Sequence, residues 1–541
     1  MKTLVLAEKP SVGKDIARVL NCKGGGNGYI EGSQYVVTWA LGHLVTLADP
    51  EEYDKAYKSW NIDHLPIMPD QLRLTVIPQT SKQYRTVKDL LLRKDISGIV
   101  IATDAGREGE LVARWIIEKA KCKKPLKRLW ISSVTDKAIK EGFQNLKDGK
   151  QYQNLCDSAK ARAEADWLVG INATRCLTTK FNSPLSCGRV QTPTLAIIAK
   201  REEEIRKFVP KPYYGMVANA GSFRLTWQDQ KGNSTRSFDK DRVEHLLSGI
   251  KNAKEGTVSE VTKTIKKKQP PKLYDLTELQ RDANKRYGYS PKETLSIMQR
   301  LYEEHKALTY PRTDSRYIST DIVPTLAERL KACSMPPYGK LTAPILRQPI
   351  RPNANFVDNA KVSDHHAIIP TEQPADLRSL NDRERKIYDL VITRFLSVFY
   401  PPFEYEQVAV KVKVGTETFA ARGRVVISQG YQAVYNSHDP DEDEEETQTL
   451  PSIKKGDRIS LQGIKITDGK TSPPVPFNEA TLLSAMESPA KYMETKDHAL
   501  ADTLEKTGGL GTVATRADII EKLYDNFLTE KKGNLKCPGV F

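Results

Sequence analysis

The chain has 541 residues and carries 83 Lys and Arg against 68 Asp and Glu, a formal net charge of +15, which attracts a polyanion and points to nucleic acid. At roughly 150 residues per domain the length allows three or four domains of ordinary globular composition, and no apolar run reaches the roughly 20 residues that span a bilayer. The first apolar stretch is too short for a secretory signal, and the scattered cysteines (Cys22, Cys122, Cys156, Cys176, Cys187, Cys333, Cys537) form no CxxC pair, so a reduced, cytoplasmic protein without a zinc ribbon or disulfide framework is expected.

Along the chain, Thr3–Ala7 (TLVLA) predicts a short strand, followed by a helix over VGKDIARVL with Ser11 as N-cap. Gly24–Gly28 predicts a turn, Tyr35–Trp39 and Ile99–Ala102 strands, and Leu111–Ala120 an amphipathic helix. Strands alternating with helices predict a mainly parallel α/β sheet over residues 1–150. Residues 151–212 read as helical, broken by Asn182-Ser183-Pro184 and SCGRVQTP, and 213–265 as β-rich with one helix around Arg242–Ala253. The basic run Lys263–Lys268 and Pro270-Pro271 read as a linker or loop. Helical patterns fill 266–402, the β signal returns over 403–467, and helices resume over 468–541. A β-rich region split around a helical insert predicts one discontinuous domain. The acidic run Asp439–Glu446 reads as a solvated loop. Gly533–Lys536 reads as the first strand of a hairpin with no return strand, so the last helical region is expected to be truncated.

Glu8 and Asp104 each sit at the carboxyl end of a predicted strand, the edge of an open α/β sheet where ligands bind. Glu108 opens the following helix, so the three can converge, and carboxylates meeting there require a hard cation such as Mg²⁺. The plainer alternative keeps Glu108 as a complement to the helix N-terminus and Glu8 as a surface acid. Gly13-Lys14 fails the P-loop pattern, because position 8 is Glu and position 15 is Asp; ATP dependence has no support. In ALTYPRTDSRY (Ala307–Tyr317), Pro311 biases Tyr310 towards an extended conformation, which puts Arg312 on the same side as the phenol. A guanidinium that stabilises phenolate and phosphate oxygens makes that tyrosine a nucleophile for phosphorus. A Tyr-Pro that merely packs is the alternative.

Nine segments in register resemble the type IA DNA topoisomerases, most closely their bacterial topoisomerase III branch. They are LAEKPSVGKDIA (Leu6–Ala17), WALGHLVTL (Trp39–Leu47), YKSWNIDHLPIMP (Tyr57–Pro69), ATDAGREGELVARW (from Ala102), ADWLVGINATR (Ala165–Arg175), CGRVQTPTL (Cys187–Leu195), LTYPRTDS (Leu308–Ser315), DHHAIIPT (Asp364–Thr371) and GLGTVATRADII (Gly509–Ile520). The resemblance implies that Tyr310 attacks a DNA phosphodiester, leaving a 5′-phosphotyrosine and a free 3′-OH, and that Arg312 positions the scissile phosphate. It implies that Glu8 and Asp104 hold Mg²⁺ with help from Glu108, that Glu8 exchanges a proton with the 3′ oxygen, and that Lys9 stabilises transition-state charge. His365 is placed near the active site. Ser186, Cys187, Gly188, Arg189, Val190, Gln191 and Thr192 match the lining of a single-strand groove. Trp60 is expected to stack on a base beside Asn61, and Arg162 and Arg175 to face phosphate. The chain departs from many relatives in having Gly106 where they carry a second Asp, which favours a single Mg²⁺.

The implied fold is multidomain α/β and α+β: an N-terminal Toprim α/β domain (1–150), a helical single-strand-binding domain in two parts (151–212 and 468–541), a split β-rich arch (213–265 and 403–467) and a helical domain carrying Tyr310 (266–402), together forming a padlock-like ring. The implied enzyme is an ATP-independent, zinc-free isomerase acting in DNA topological change and recombination. It would cut one strand, pass another and religate, relaxing negative supercoils and decatenating DNA. Its partners would be single-stranded and negatively supercoiled DNA and a helicase; it would be monomeric, cytoplasmic and nucleoid-associated. The alternatives are a Toprim nuclease, which has no need of Tyr310, and a truncated, weakly active or binding-only member.

Overall fold

The computed structural model describes residues 1–229, 234–362, 365–435, 448–493 and 498–530. The acidic run Asp439–Glu446, the Gly533–Lys536 segment and Cys537 lie outside the described residues. Among the described residues, no helix is long and apolar enough to cross a membrane.

The first region runs β1 (Lys2–Ala7), α1 (Pro10–Val19), β2 (Gly24–Gly26), β3 (Tyr29–Glu31), β4 (Tyr35–Trp39), β5 (Val45–Leu47), β6 (Leu74–Val76), α2 (Ser81–Leu92), β7 (Ile96–Ala102), α3 (Arg107–Lys119), β8 (Leu126–Arg128), α4 (Asp136–Gln144) and β9 (Lys147–Asp148). Its main sheet has the order β2-β3-β4-β1-β7-β8-β9. The strands β4, β1, β7 and β8 are parallel, whereas both edges are antiparallel. Leu4 to Ala7 of the central β1 are fully buried, as expected of a strand covered on both faces. Two sequence expectations change. Ser11 does not cap α1, which begins at Pro10, where a fixed φ and a missing N–H suit the first helical position. Gly24–Gly28 is not a turn throughout: Gly24–Gly26 pairs with Tyr29–Glu31, leaving Asn27-Gly28 as the turn.

The long α5 (Gln153–Phe181) ends at a left-handed Asn182 and leads to α6 (Gln191–Lys207). A second sheet then collects β10 (Pro212–Asn219), β11 (Arg224–Gln228), β12 (Glu255–Lys268), β13 (Phe403–Val414), β14 (Glu417–Ser428), β15 (Arg458–Ser460) and β16 (Gly463–Lys470), with α7 (Lys240–Ile250) packed against it. The split β-rich region is therefore one sheet. The expected linker Lys263–Lys268 is the outer half of β12, paired with β13 from Phe403 to Val408. Opposite charges on facing strands support it, Lys267 with Glu404 at 2.8 Å and Lys263 with Glu406 at 3.6 Å. The strand stops just before Pro270-Pro271, which lack ladder N–H groups.

Between β12 and β13 lies an insert of α8 (Leu276–Tyr287), α9 (Pro291–Glu303), α10 (Leu326–Ala332), α11 (Gly339–Leu346) and α12 (Asp382–Ser397), packed around Leu279, Met298, Leu301, Phe356, Val391 and Phe395. The helical pattern expected over 266–402 is interrupted around Tyr310. There Pro311 forbids helix, and Leu308 and Tyr274 bridge instead to Pro370 and Ile368. After β16, α13 (Glu479–Glu487), α14 (His498–Lys506) and α15 (Arg516–Asp525) return; α13 and α15 pack on α6 through Ile198, Leu483, Met486 and Ile520.

The insert is joined covalently to the second sheet but meets the first sheet through a non-covalent seam, which closes the chain into a ring. Across the seam the Tyr310 N–H donates to the Ser132 carbonyl at 2.9 Å, Thr135 Oγ1 donates to Glu372 at 2.7 Å, and Lys306 pairs with Asp15 at 2.8 Å. Tyr302 and Tyr310 complete an apolar cluster with Val5, Ala7 and Ala102 of the first sheet.

Beneath that cluster, Arg128 and Glu110 are both fully buried and pair at 3.0 Å. Arg128 also donates to the carbonyls of Thr103 (2.8 Å), Leu129 (2.9 Å) and Asp104 (2.7 Å). Removing one partner strands a buried charge, so Glu110→Ala is expected to cost about 3–5 kcal/mol of stability, read as a lower denaturant midpoint in equilibrium unfolding.

Candidate active site

Glu8 follows β1 and Asp104 follows β7. These strands are parallel neighbours with Ala7 opposite Ala102, so the two carboxylates emerge side by side. The Asp104 N–H donates to Glu8 Oε2 at 3.0 Å. Burial, then the charge of Asp104, pushes the Glu8 carboxyl up to about 7; burial likewise raises Asp104, against the pull of Lys9 and Arg312. Gly109 makes this approach possible, because a Cβ there would lie 2.0 Å from the Asp104 carbonyl oxygen. Glu108 does not join them. From the first turn of α3 its half-exposed side chain lines the same cleft and lies 3.9 Å from His43 Nε2. Among the described residues no group of three His, Cys, Asp or Glu could hold a metal, so the expected three-acid cluster is corrected to a pair. Two half-buried carboxylates with raised pKa are a hard-oxygen donor set, which suits Mg²⁺.

Tyr310 lies directly over this pair, its hydroxyl 3.5 Å from Asp104 Oδ2. Burial, then Asp104, holds the phenol well above its usual range, while Arg312 pulls it down. The ring stacks on His365 at 4.2 Å between centroids and meets Tyr302 edge-on at 5.5 Å. His365 contacts the Ala105 carbonyl through Nε2 and Ser132 Oγ through Nδ1 (3.3 Å). Burial drops its pKa to about 3, so the imidazole is neutral at pH 7. Arg312 sits beside both, its Nε buried without a hydrogen-bond partner among the described residues. Lys9 reaches across the seam to pair with Glu303.

A cleft of about 1090 Å³, partly open to solvent, joins these groups. Several of its lining residues were not singled out by sequence reasoning, among them Arg107, Thr512, Arg516 and Glu487. Arg107 lies inside the ATDAGREGEL string, Glu487 ends α13, Thr512 precedes α15 and Arg516 opens it; only the GLGTVATRADII segment signalled the last two. Arg162 lines the same cleft, its pKa lowered by burial and then by the charge of Arg107.

The remaining DNA-binding candidates divide. Arg189 is exposed on the surface and pairs with Asp166 at 2.8 Å. In its loop the Gly188 N–H donates to Thr192 Oγ1 (3.1 Å), Gln191 to Ser186 Oγ (3.2 Å), and the Cys187 N–H to Thr174 Oγ1 (3.0 Å), with Val190 preceding α6. Trp60 is 48% exposed, and Asn61 accepts the Asp63 N–H at 3.1 Å. Arg175, expected to face phosphate, is turned inward. It is 5% exposed, donates to the Tyr57 carbonyl at 2.6 Å and lies 5.1 Å from the Trp60 ring centroid, so it supports the tryptophan from behind.

Comparison with known proteins agrees with this geometry. The Toprim domain model matches residues 3–134 and the DNA topoisomerase model residues 150–538. The chain is 62% identical to DNA topoisomerase 3 of Bacillus licheniformis and 60% identical to that of Bacillus subtilis, in each case over 98% of this chain and 73% of the relative. A solved full-length topoisomerase I from Thermotoga maritima has the same fold, with a TM-score of 0.70 at 23% identity over 98% of this chain and 80% of that one. These relatives favour the topoisomerase over the nuclease and binding-only alternatives. With both family models and relatives above 60% identity spanning nearly all of its length, the chain belongs to the type IA DNA topoisomerases, in their topoisomerase III branch.

Proposed function

We propose that this topoisomerase cuts single-stranded DNA by attack of the Tyr310 phenol on phosphorus. The observation that carries this reading is the phenol's position, 3.5 Å from Asp104 and beside Glu8 and Arg312. The Tyr310 oxygen bonds to phosphorus, the 3′ oxygen leaves, and the product is a 5′-phosphotyrosine. The phenol proton has an acceptor in Asp104, and the departing 3′ oxygen takes a proton from Glu8, whose pKa near 7 suits that exchange. Arg312 directs its guanidinium to the phosphate oxygens. Transesterification keeps the bond energy, so religation needs no ATP. Glu8 belongs to the Toprim side of the seam and Tyr310 to the insert, so opening the seam parts the two DNA ends and makes room for strand passage.

Glu8 and Asp104 would hold Mg²⁺, which when bound neutralises the paired carboxylates and the phosphate. Lys9, freed from Glu303, supplies a further positive charge, and His365 supports the phenol. We assign Arg162, Arg189, Trp60 with Asn61, and the Ser186–Thr192 loop to single-strand binding, and the six segments of the domain division given above to the working parts of the ring. Negatively supercoiled DNA relaxed and decatenated by a monomer, with a helicase supplying single strands at the nucleoid in the cytoplasm, completes the reading.

Tyr310→Phe is expected to abolish covalent adducts trapped with denaturant while leaving single-strand affinity within about twofold, since one hydroxyl is lost from a buried ring. Retained adducts would refute the assignment.

For the metal, Glu8→Gln should raise the metal-free melting temperature, because it removes one of two repelling buried charges, and should erase the stabilisation that Mg²⁺ gives the parent. Gly106 has open space around it and an extended backbone. Gly106→Asp is therefore expected to lower the Mg²⁺ concentration needed for relaxation, measured by titrating Mg²⁺ against negatively supercoiled plasmid.

Single-strand affinity should fall with salt by about 0.7 log units per log unit of salt for each phosphate neutralised. Arg162→Ala and Arg189→Ala should each flatten that slope by about 0.7, whereas Arg175→Ala should leave it unchanged. Fluorescence titrations of an oligonucleotide at several salt concentrations give all three slopes.

A further inference from the structure

The ring beneath the nucleophile is itself held by a second ring. Trp130 lies two residues beyond the end of β8 and stacks on His365, with centroids 6.0 Å apart and planes 15° from parallel. On its own side of the seam Trp130 stacks on Tyr152 at 4.8 Å and 23°, and the Arg128 guanidinium sits 5.0 Å from the indole. The series Tyr152, Trp130, His365, Tyr310 thus runs from the Toprim side into the insert. The contacts of His365 at Ser132 and Ala105 involve its two ring nitrogens. Two such contacts fix an axis through the imidazole but leave rotation about that axis free. Flat rings lying parallel to it oppose the rotation, and offset stacking at 4.5–7 Å between centroids is a favoured aromatic arrangement.

We propose that Trp130 is a positioning residue for strand cleavage: its indole sets the plane of His365, and through it the plane in which the Tyr310 phenol meets the phosphate. This rests on Tyr310 as the nucleophile. Trp130 stacks on His365 and Tyr152, so its substitution is expected to change the rate of attack and not DNA affinity. Arg128, which clamps the Asp104 carbonyl and also underlies the indole, ties the plane of the stack to the loop that carries the acid.

The test is single-turnover cleavage of a single-stranded oligonucleotide by the full chain, with the adduct mapped by peptide mass. Trp130→Leu keeps an apolar side chain but has no flat face. It should slow cleavage roughly tenfold, the scale of a lost stacking contact, with oligonucleotide affinity unchanged. Trp130→Phe keeps a flat ring and should cleave within about twofold of the parent. In a His365→Ala background, Trp130→Leu should cause no further loss, because its effect passes through the imidazole. If Trp130→Leu melts below the parent, Trp130→Met carries the same comparison. Parent-like cleavage by both non-flat variants, equal loss in Phe and Leu, or an undiminished Leu effect without His365 would overturn the stack alone. An adduct on another tyrosine would instead overturn the nucleophile assignment and this proposal with it.

Discussion

Everything in this molecule turns on two carboxylates that emerge from neighbouring parallel strands into a buried site. Burial raises the pKa of both Glu8 and Asp104, the charge of Asp104 raises Glu8 further, and the fold supplies only partial relief, from Lys9 and Arg312. The alternative, dispersing the acids into solvent, is blocked by the surrounding architecture. Arg128 clamps the Asp104 carbonyl from below, Gly109 lets α3 press against it, and the insert covers it from above. A site so built retains unrelieved negative charge, and that charge makes a cation and a cationic side chain useful there.

The cover over this site is held to the Toprim side by non-covalent contacts alone. The insert is tethered by chain to the second sheet, but it meets the Toprim side through modest contacts. Lys137 with Glu328 is largely exposed, and such pairs contribute about 0–1 kcal/mol. Lys306 with Asp15 and Thr135 with Glu372 are few and polar. The apolar share is small too, chiefly Tyr302 and Tyr310 against the edge of the first sheet. A few weak contacts around one buried nucleophile make up that joint.

The cations show how tertiary position overrides composition. Arg162, Arg175 and Arg189 read alike in the sequence as candidates for phosphate. The fold lines the cleft with the first, sends the second under Trp60 and leaves the third on the surface beside Asp166. The run Lys263–Lys268 reads as a soluble linker, yet it is a strand, because Glu404 and Glu406, some 140 residues away, face it and supply the opposite charges.

The sequence by itself determined the parts governed by local rules. Buried strands and the order of the nine segments were legible, because periodicity and fixed spacings act over a few residues. The split sheet was legible for the same reason, as two β-rich stretches flanking helix. Only the tertiary structure decided what depends on distant chain segments meeting. It set Glu108 beside His43 on the wall of the cleft, apart from the acid pair. It brought Thr512 and Arg516 to the cleft from 200 residues beyond Tyr310. It also placed Trp130 against His365, a contact between residues 235 positions apart that no spacing encodes, because stacking depends on where two surfaces meet and not on where their residues stand in the chain.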